Sequence, residues 1–205
     1  MLALFGSALV TFLVVIDPPG VLAIFAGLTT GTDPAHRRAT ALRASLIAWG
    51  ILLFFALLGR PLLTALGISL ASFRIAGGIM LFLIALDMVF EKRTQRREER
   101  AQSIEGEADI SVFPMAIPMI AGPGSIATAM LLVSRADGVF QIGAVLLAMT
   151  LVILVTLAAL LAAGPLMRMA GERIEAMITR ILGVILAALA AQFVVDGLRQ
   201  SFPGL

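Results

Sequence analysis

Three stretches of this chain carry no charged residue at all: 1–16, 110–134 and 138–167. A helix needs about 20 apolar residues to cross the roughly 30 Å hydrocarbon core of a bilayer. Uncharged runs of this size leave few folds open. In hydrocarbon, only helices and closed barrels satisfy every backbone polar group. The apolar runs are continuous and lack strict alternation, so helices are expected and not a barrel. The wider composition agrees. Apolar residues make up 60% of the chain and charged residues 14%, against roughly 25% charged in ordinary globular domains. That leaves too little polar sequence to cover a soluble surface. A water-soluble domain, a disordered chain and a secreted disulfide scaffold are excluded.

The expected class is an all-α membrane protein with six spans. They fall near 3–28, 41–59, 70–90, 111–134, 139–163 and 177–198. Two three-span halves, 1–90 and 110–205, flank a charged linker, 91–109, that holds Lys92, Arg93, Arg96, Arg97 and Arg100. The apolar N-terminus lacks the basic region of a signal peptide and is expected to remain as a helix. Basic residues concentrate on the cytoplasmic side. With residue 1 outside, 11 basic residues lie inside: Arg37, Arg38, Arg43, the five in the linker, Arg168, Arg173 and Arg180. Only 4, Arg60, Arg74, Arg135 and Arg199, lie outside. Both termini are therefore expected outside and the linker in the cytoplasm. The net charge of +2 then reflects loop arginines, and no nucleic-acid partner is expected.

The halves echo one another. Pro19-Gly20 recurs as Pro123-Gly124, Pro61 as Pro165, Gly67 as Gly171, and Arg74 and Gly77 as Arg180 and Gly183. Three spans per half force successive halves into opposite orientations. Such 3+3 inverted repeats are a recurring plan of secondary transporters, with the substrate bound near the midplane between repeats.

The first and fourth spans are expected to break near mid-membrane. Asp17, Pro18, Pro19 and Gly20 interrupt the first, and Gly122, Pro123, Gly124 and Ser125 the fourth. Proline removes a backbone donor and clashes with the preceding turn. Irregular backbone at that depth is tolerated only against protein or a watery cavity. Each break offers carbonyls from one half-helix and N–H groups from the next. Carbonyls suit a cation and N–H groups a carboxylate, so a small zwitterionic or neutral substrate fits these eight residues. Asp17 is the one acid expected near the centre of the membrane. It could contact a ligand amine or carry a coupling proton. Equally, Asp before Pro is a good helix N-cap.

Arg74 and Arg180 each lie about one turn inside a span. They could gate the site or contact a carboxylate, or reach to the interface along their aliphatic stems. Asp87 and Asp196 sit near span ends, and Thr128 could face the cavity or hydrogen-bond between helices. Cysteine is absent and His36 is the sole histidine. A thiolate metal site, a Cys nucleophile and a His-rich metal site are thereby excluded, and no cofactor is expected.

Four motifs, taken together, resemble the MarC family of bacterial inner-membrane proteins. They are Asp17-Pro18-Pro19-Gly20, Phe73-Arg74-Ile75-Ala76-Gly77-Gly78, Pro118-Met119-Ile120-Ala121-Gly122-Pro123-Gly124 and Arg180-Ile181-Leu182-Gly183. The resemblance covers nearly the whole chain. It implies a six-span protein of the bacterial cytoplasmic membrane and, from some relatives, transport of small neutral amino acids such as glycine and alanine. The family usually has Asn where this chain has Asp17.

The leading expectation is a secondary transporter of small neutral amino acids or similar metabolites, driven by a proton, sodium or substrate gradient, because no nucleotide motif is present. The alternatives are a non-transporting accessory or scaffold subunit and an intramembrane enzyme. An enzyme would need paired catalytic groups, whereas Asp17 and Asp87 are expected at different depths. A scaffold would need no polar site at the two breaks. The oligomeric state is not legible.

Overall fold

Among the described residues the hydrophobic runs condense into eight helical elements. The computed structural model describes residues 2–90 and 109–202, and only the backbone of 164–175. The expected linker up to residue 108 and the side chains of Pro165, Arg168 and Arg173 lie outside the described residues, and of Gly171 only the backbone path is described. The elements are α1 (Leu2–Ile16), α2 (Pro18–Leu28), α3 (Pro34–Ala65), α4 (Leu70–Val89), α5 (Ser111–Ile120), α6 (Pro123–Ser134), α7 (Val139–Leu161) and α8 (Ala163–Ser201). Five spans, counting α1–α2 as one, are long and apolar enough to cross a membrane, and the bent pair α5–α6 makes up to six.

Helix ends depart from span ends for local reasons. α3 begins at Pro34, ahead of the expected 41. Asp33 accepts hydrogen bonds from the N–H groups of Ala35 and His36, and Pro34 fills the first helical position. α8 begins directly after Ala162, so its backbone is helical where a loop to residue 176 was expected. Hydropathy marks where the bilayer begins, and helix-favouring polar residues carry the coil beyond it.

The α1–α2 span is central. Its most apolar window is 72% buried, against 28–39% for those of α3, α4, α7 and α8. The outward faces of the peripheral helices carry Leu46, Phe54, Leu83, Leu154 and Val184, all exposed, as suits a lipid-facing surface. Packing runs mainly between the halves. α1 and α2 pack on α7 and α8, while α5 and α6 pack on α3, and α6 also on α4.

The most extensive contact joins α4 to α8. It rests on small residues every seven positions: Ala71, Gly78 and Ala85 in α4, and Gly183, Ala190 and Gly197 in α8. They meet in antiparallel order. A Cβ on Gly197 would lie 2.9 Å from the Ala71 carbonyl oxygen, one on Gly78 2.8 Å from that of Ala190, and one on Gly183 3.1 Å from that of Ala85. Glycine faces alanine at each crossing, so the backbones approach where any larger pair would hold them apart.

α5 is not a regular helix. Phe113 and Ile117 precede prolines and adopt extended backbone, as that position favours. Both following peptide bonds, to Pro114 and Pro118, are cis. The amides of Met115 and Ala121 reach back five residues, to Ile110 and Ala116. α5 and α6 meet at 53°, yet together they advance along α3. Asp109 lies 3.6 Å from Arg43 at one end, and Met130 packs on Gly59 at the other. The intervening stretch of α3 rises roughly 24 Å, so the two ends of this segment lie well apart along α3.

Candidate substrate site at two interrupted helices

Asp17 has φ 58° and ψ 67°, the one left-handed non-glycine among the described residues. Asp and Asn visit this region more readily than other side chains. The helical ladder reaches Asp17 from behind, its amide donating to Leu13, and restarts from it, its carbonyl accepting from Val21. Between these, Pro18 and Pro19 bring no N–H to the helical ladder. The Asp17 carboxylate caps α2 by accepting from the Gly20 amide at 3.3 Å. It also accepts from the Thr179 hydroxyl at 3.3 Å. Asp17 is 1% exposed and Thr179 4%.

The second break differs in chemistry. Gly122 precedes α6 in extended conformation and has no side chain with which to cap it. Pro123 has no N–H. The amides of Gly124 and Ser125 thus start α6 without a side-chain acceptor, at the positive end of its dipole. Gly122, Gly124 and Ser125 are buried. A Cβ on Gly124 would meet Ile84 at 2.6 Å and Val15 at 3.4 Å, so the second break lies beside the strand of backbone that leads into the first. The two are staggered along α4. Gly124 is level with Leu81 and Ile84. Thr179, and with it Asp17, lies one turn before Gly183, which packs on Ala85, Met88 and Val89.

One turn into α6, the hydroxyl of Thr128 is fully buried and makes no hydrogen bond within the protein. Elsewhere in the bundle Thr11, Thr29, Thr40, Thr150 and Thr156 donate to the carbonyl four residues back, the usual solution for a helical threonine. An unmet buried hydroxyl costs about 1–3 kcal/mol, so Thr128 marks a place where the packing holds polar capacity in reserve.

The two arginines singled out in the sequence do not meet. Arg74 donates from Nη1 to Oε1 of Gln200 at 2.8 Å, at one end of the α4–α8 pair. Arg180 is exposed and stands near the other end, beside Thr179. Thr179 belongs to no motif in the sequence; a lone threonine next to Arg180 in an apolar run is the one signal it offers. No group of three or more His, Cys, Asp or Glu able to hold a metal occurs among the described residues.

Residues 2–202 match the family described as MarC family integral membrane protein. The chain belongs to the MarC family. It is 34% identical over 200 residues to a UPF0056 membrane protein of Archaeoglobus fulgidus, covering 97% of this chain and 94% of the relative. It is 33% identical over 198 residues to the UPF0056 inner membrane protein YhgN of Escherichia coli K12, covering 97% and 98%. The UPF0056 membrane protein YvbG of Bacillus subtilis is 34% identical over 200 residues, covering 96% and 94%. No solved structure matches the chain. As an integral membrane protein of this family, it presents the apolar flanks of α3, α4, α7 and α8 to lipid.

Proposed function

We propose that this MarC protein is a secondary transporter of small neutral amino acids or similar zwitterions in the cytoplasmic membrane. The observation that carries the reading is the pairing of unlike helix breaks in one buried region. One break holds a carboxylate, Asp17, suited to an ammonium group. The other holds uncapped amides, of Gly124 and Ser125, suited to a carboxylate. Pro18, Pro19, Gly20, Gly122 and Pro123 shape the backbone around them, and Arg74 and Arg180 flank the region at its two ends. The orphan hydroxyl of Thr128 favours a polar guest over the permanently dry packing that a scaffold subunit would have.

The halves are read as an inverted repeat. Each interrupted span packs on the second and third spans of the opposite half, and α4 and α8, the third spans, run antiparallel. Alternating access would then be rocking of one repeat against the other around the breaks. In this reading both termini face outside, the linker faces the cytoplasm, a proton or sodium ion supplies the driving force, and no enzymatic step or cofactor is involved. That the Escherichia coli relative YhgN is named an inner membrane protein supports this location. The test is counterflow in liposomes holding the purified protein, with labelled glycine, alanine and serine. Saturable exchange of at least one is expected. Absence of exchange for all three, with intact protein, would favour the scaffold.

A further inference from the structure

Beyond Arg135 lies no regular helix until Val139, yet this residue is tied down more firmly than any turn requires. It caps the end of α6, the half-helix that begins at the second break. Its guanidinium donates to the Asp196 carboxylate in α8 and lies 4.5 Å from the centroid of the Phe193 ring. Both ion-pair side chains are under one third exposed, at 29% and 28%. Phe193 is buried. Gln192 holds the other Asp196 oxygen at 2.7 Å, fixing the carboxylate towards Arg135.

The other contacts of α6 are of a different kind. Met130 lies on Gly59 of α3, and Leu131 on Gly77 of α4. Apolar side chains against glycine backbone make a smooth, non-directional seat. The directional hold on this end of α6 comes from Arg135. Nearly all of α6 between Gly124 and Leu132 is buried, so this half-helix fills the bundle between the break and its Arg135 end.

We propose that the Arg135–Asp196 pair, with Phe193, is a gate latch: it holds α6 closed over the second break, and its release opens the site to the membrane face on which Arg135 lies. Ion pairs that repack at a moving interface are a common device of such transitions. The proposal rests on the transport reading for its purpose, but its geometry can be tested without any substrate.

The native chain has no cysteine, so Ser125→Cys supplies a single reporter in the buried break. The full chain in sealed proteoliposomes of known orientation is treated with a membrane-impermeant thiol reagent from each side in turn. Asp196→Asn keeps the size and the Gln192 contact but loses the ion pair. It should speed labelling at position 125 by about five-fold or more, from the Arg135 side only. Phe193→Leu should act in the same direction, and Asp196→Glu should restore slow labelling. Unchanged labelling in both Asp196→Asn and Phe193→Leu, or an equal rise from both faces, would overturn the latch. Failure of counterflow with the labelling result intact would remove the transport reading and leave the latch standing.

Discussion

Thr179 of α8 donates its hydroxyl to the carboxylate of Asp17 across 162 positions of sequence. The contact fastens the left-handed corner between α1 and α2 to the helix that, 17 residues further on, holds Arg135 through Asp196. Both interrupted spans are thus pinned to α8 by a polar side chain, near opposite ends of its apolar stretch.

Asp17 tolerates one substitution and not another. Asn caps nearly as well, accepts from Thr179, and is at ease in the left-handed region, so Asp17→Asn should change stability by about 0.5 kcal/mol or less. Asp17→Ala loses the cap and keeps the strained backbone, at about 2 kcal/mol together. Thermal unfolding in detergent measures both. Uptake with and without an imposed pH difference gives the functional side. Asp17→Asn should retain both exchange and any proton-driven acceleration; loss of the acceleration alone would make Asp17 the coupling group.

Gly122 is fixed by space. A Cβ there would overlap the carbonyl oxygen of Pro118, a backbone atom that cannot swing aside. Gly122→Ala should cost about 2 kcal/mol or more. Gly143 in α7 has open space where a Cβ would be, so Gly143→Ala should be neutral or gain up to about 1 kcal/mol. Equal melting temperatures for the two variants would contradict this account.

The α4–α8 seam should discriminate neighbouring positions. Gly78→Ile would drive a branched side chain into the Ala190 carbonyl and Val194, costing about 1–3 kcal/mol. The adjacent Ile79 is 50% exposed, and Ile79→Ala should shift stability by about 0.5 kcal/mol or less.

At the start of α5, Asp109 accepts from both the hydroxyl and the amide of Ser111. These bonds, chiefly the hydroxyl's, hold its carboxyl below the ordinary value, helped by Arg43. A lowered native pKa means the contribution is complete above the ordinary value of 3.8 and is lost as pH falls through the lowered one. Ser111→Ala should move the Asp109 titration, followed by carboxyl carbon NMR, back towards the ordinary value.

The element boundaries at Asp17 and Gly122 are legible because proline and glycine act locally. Pro18 and Pro123 each take the first position of a new helix, and Asp17 before Pro18 announces a cap. The wide turns of α5 were less so: Pro114 and Pro118 were visible, but the backbone path between them depends on what α3 offers alongside. The length of α8 was missed because hydropathy reports the bilayer edge and says nothing of a helix that continues past it.

By itself the sequence determined the solvent and the element type. Long uncharged runs cannot be hydrated at acceptable cost, and in hydrocarbon the backbone must close its own hydrogen bonds. Tertiary structure alone decided which side chains meet. Thr179 reaches Asp17, Arg135 reaches Asp196, Arg74 binds Gln200 far from Arg180, and Thr128 is left without a partner. These outcomes follow from how α8 crosses the bundle. That crossing is set by the summed fit of small residues such as Gly78, Gly183 and Gly197 against distant backbone, a quantity that no local stretch of the chain contains.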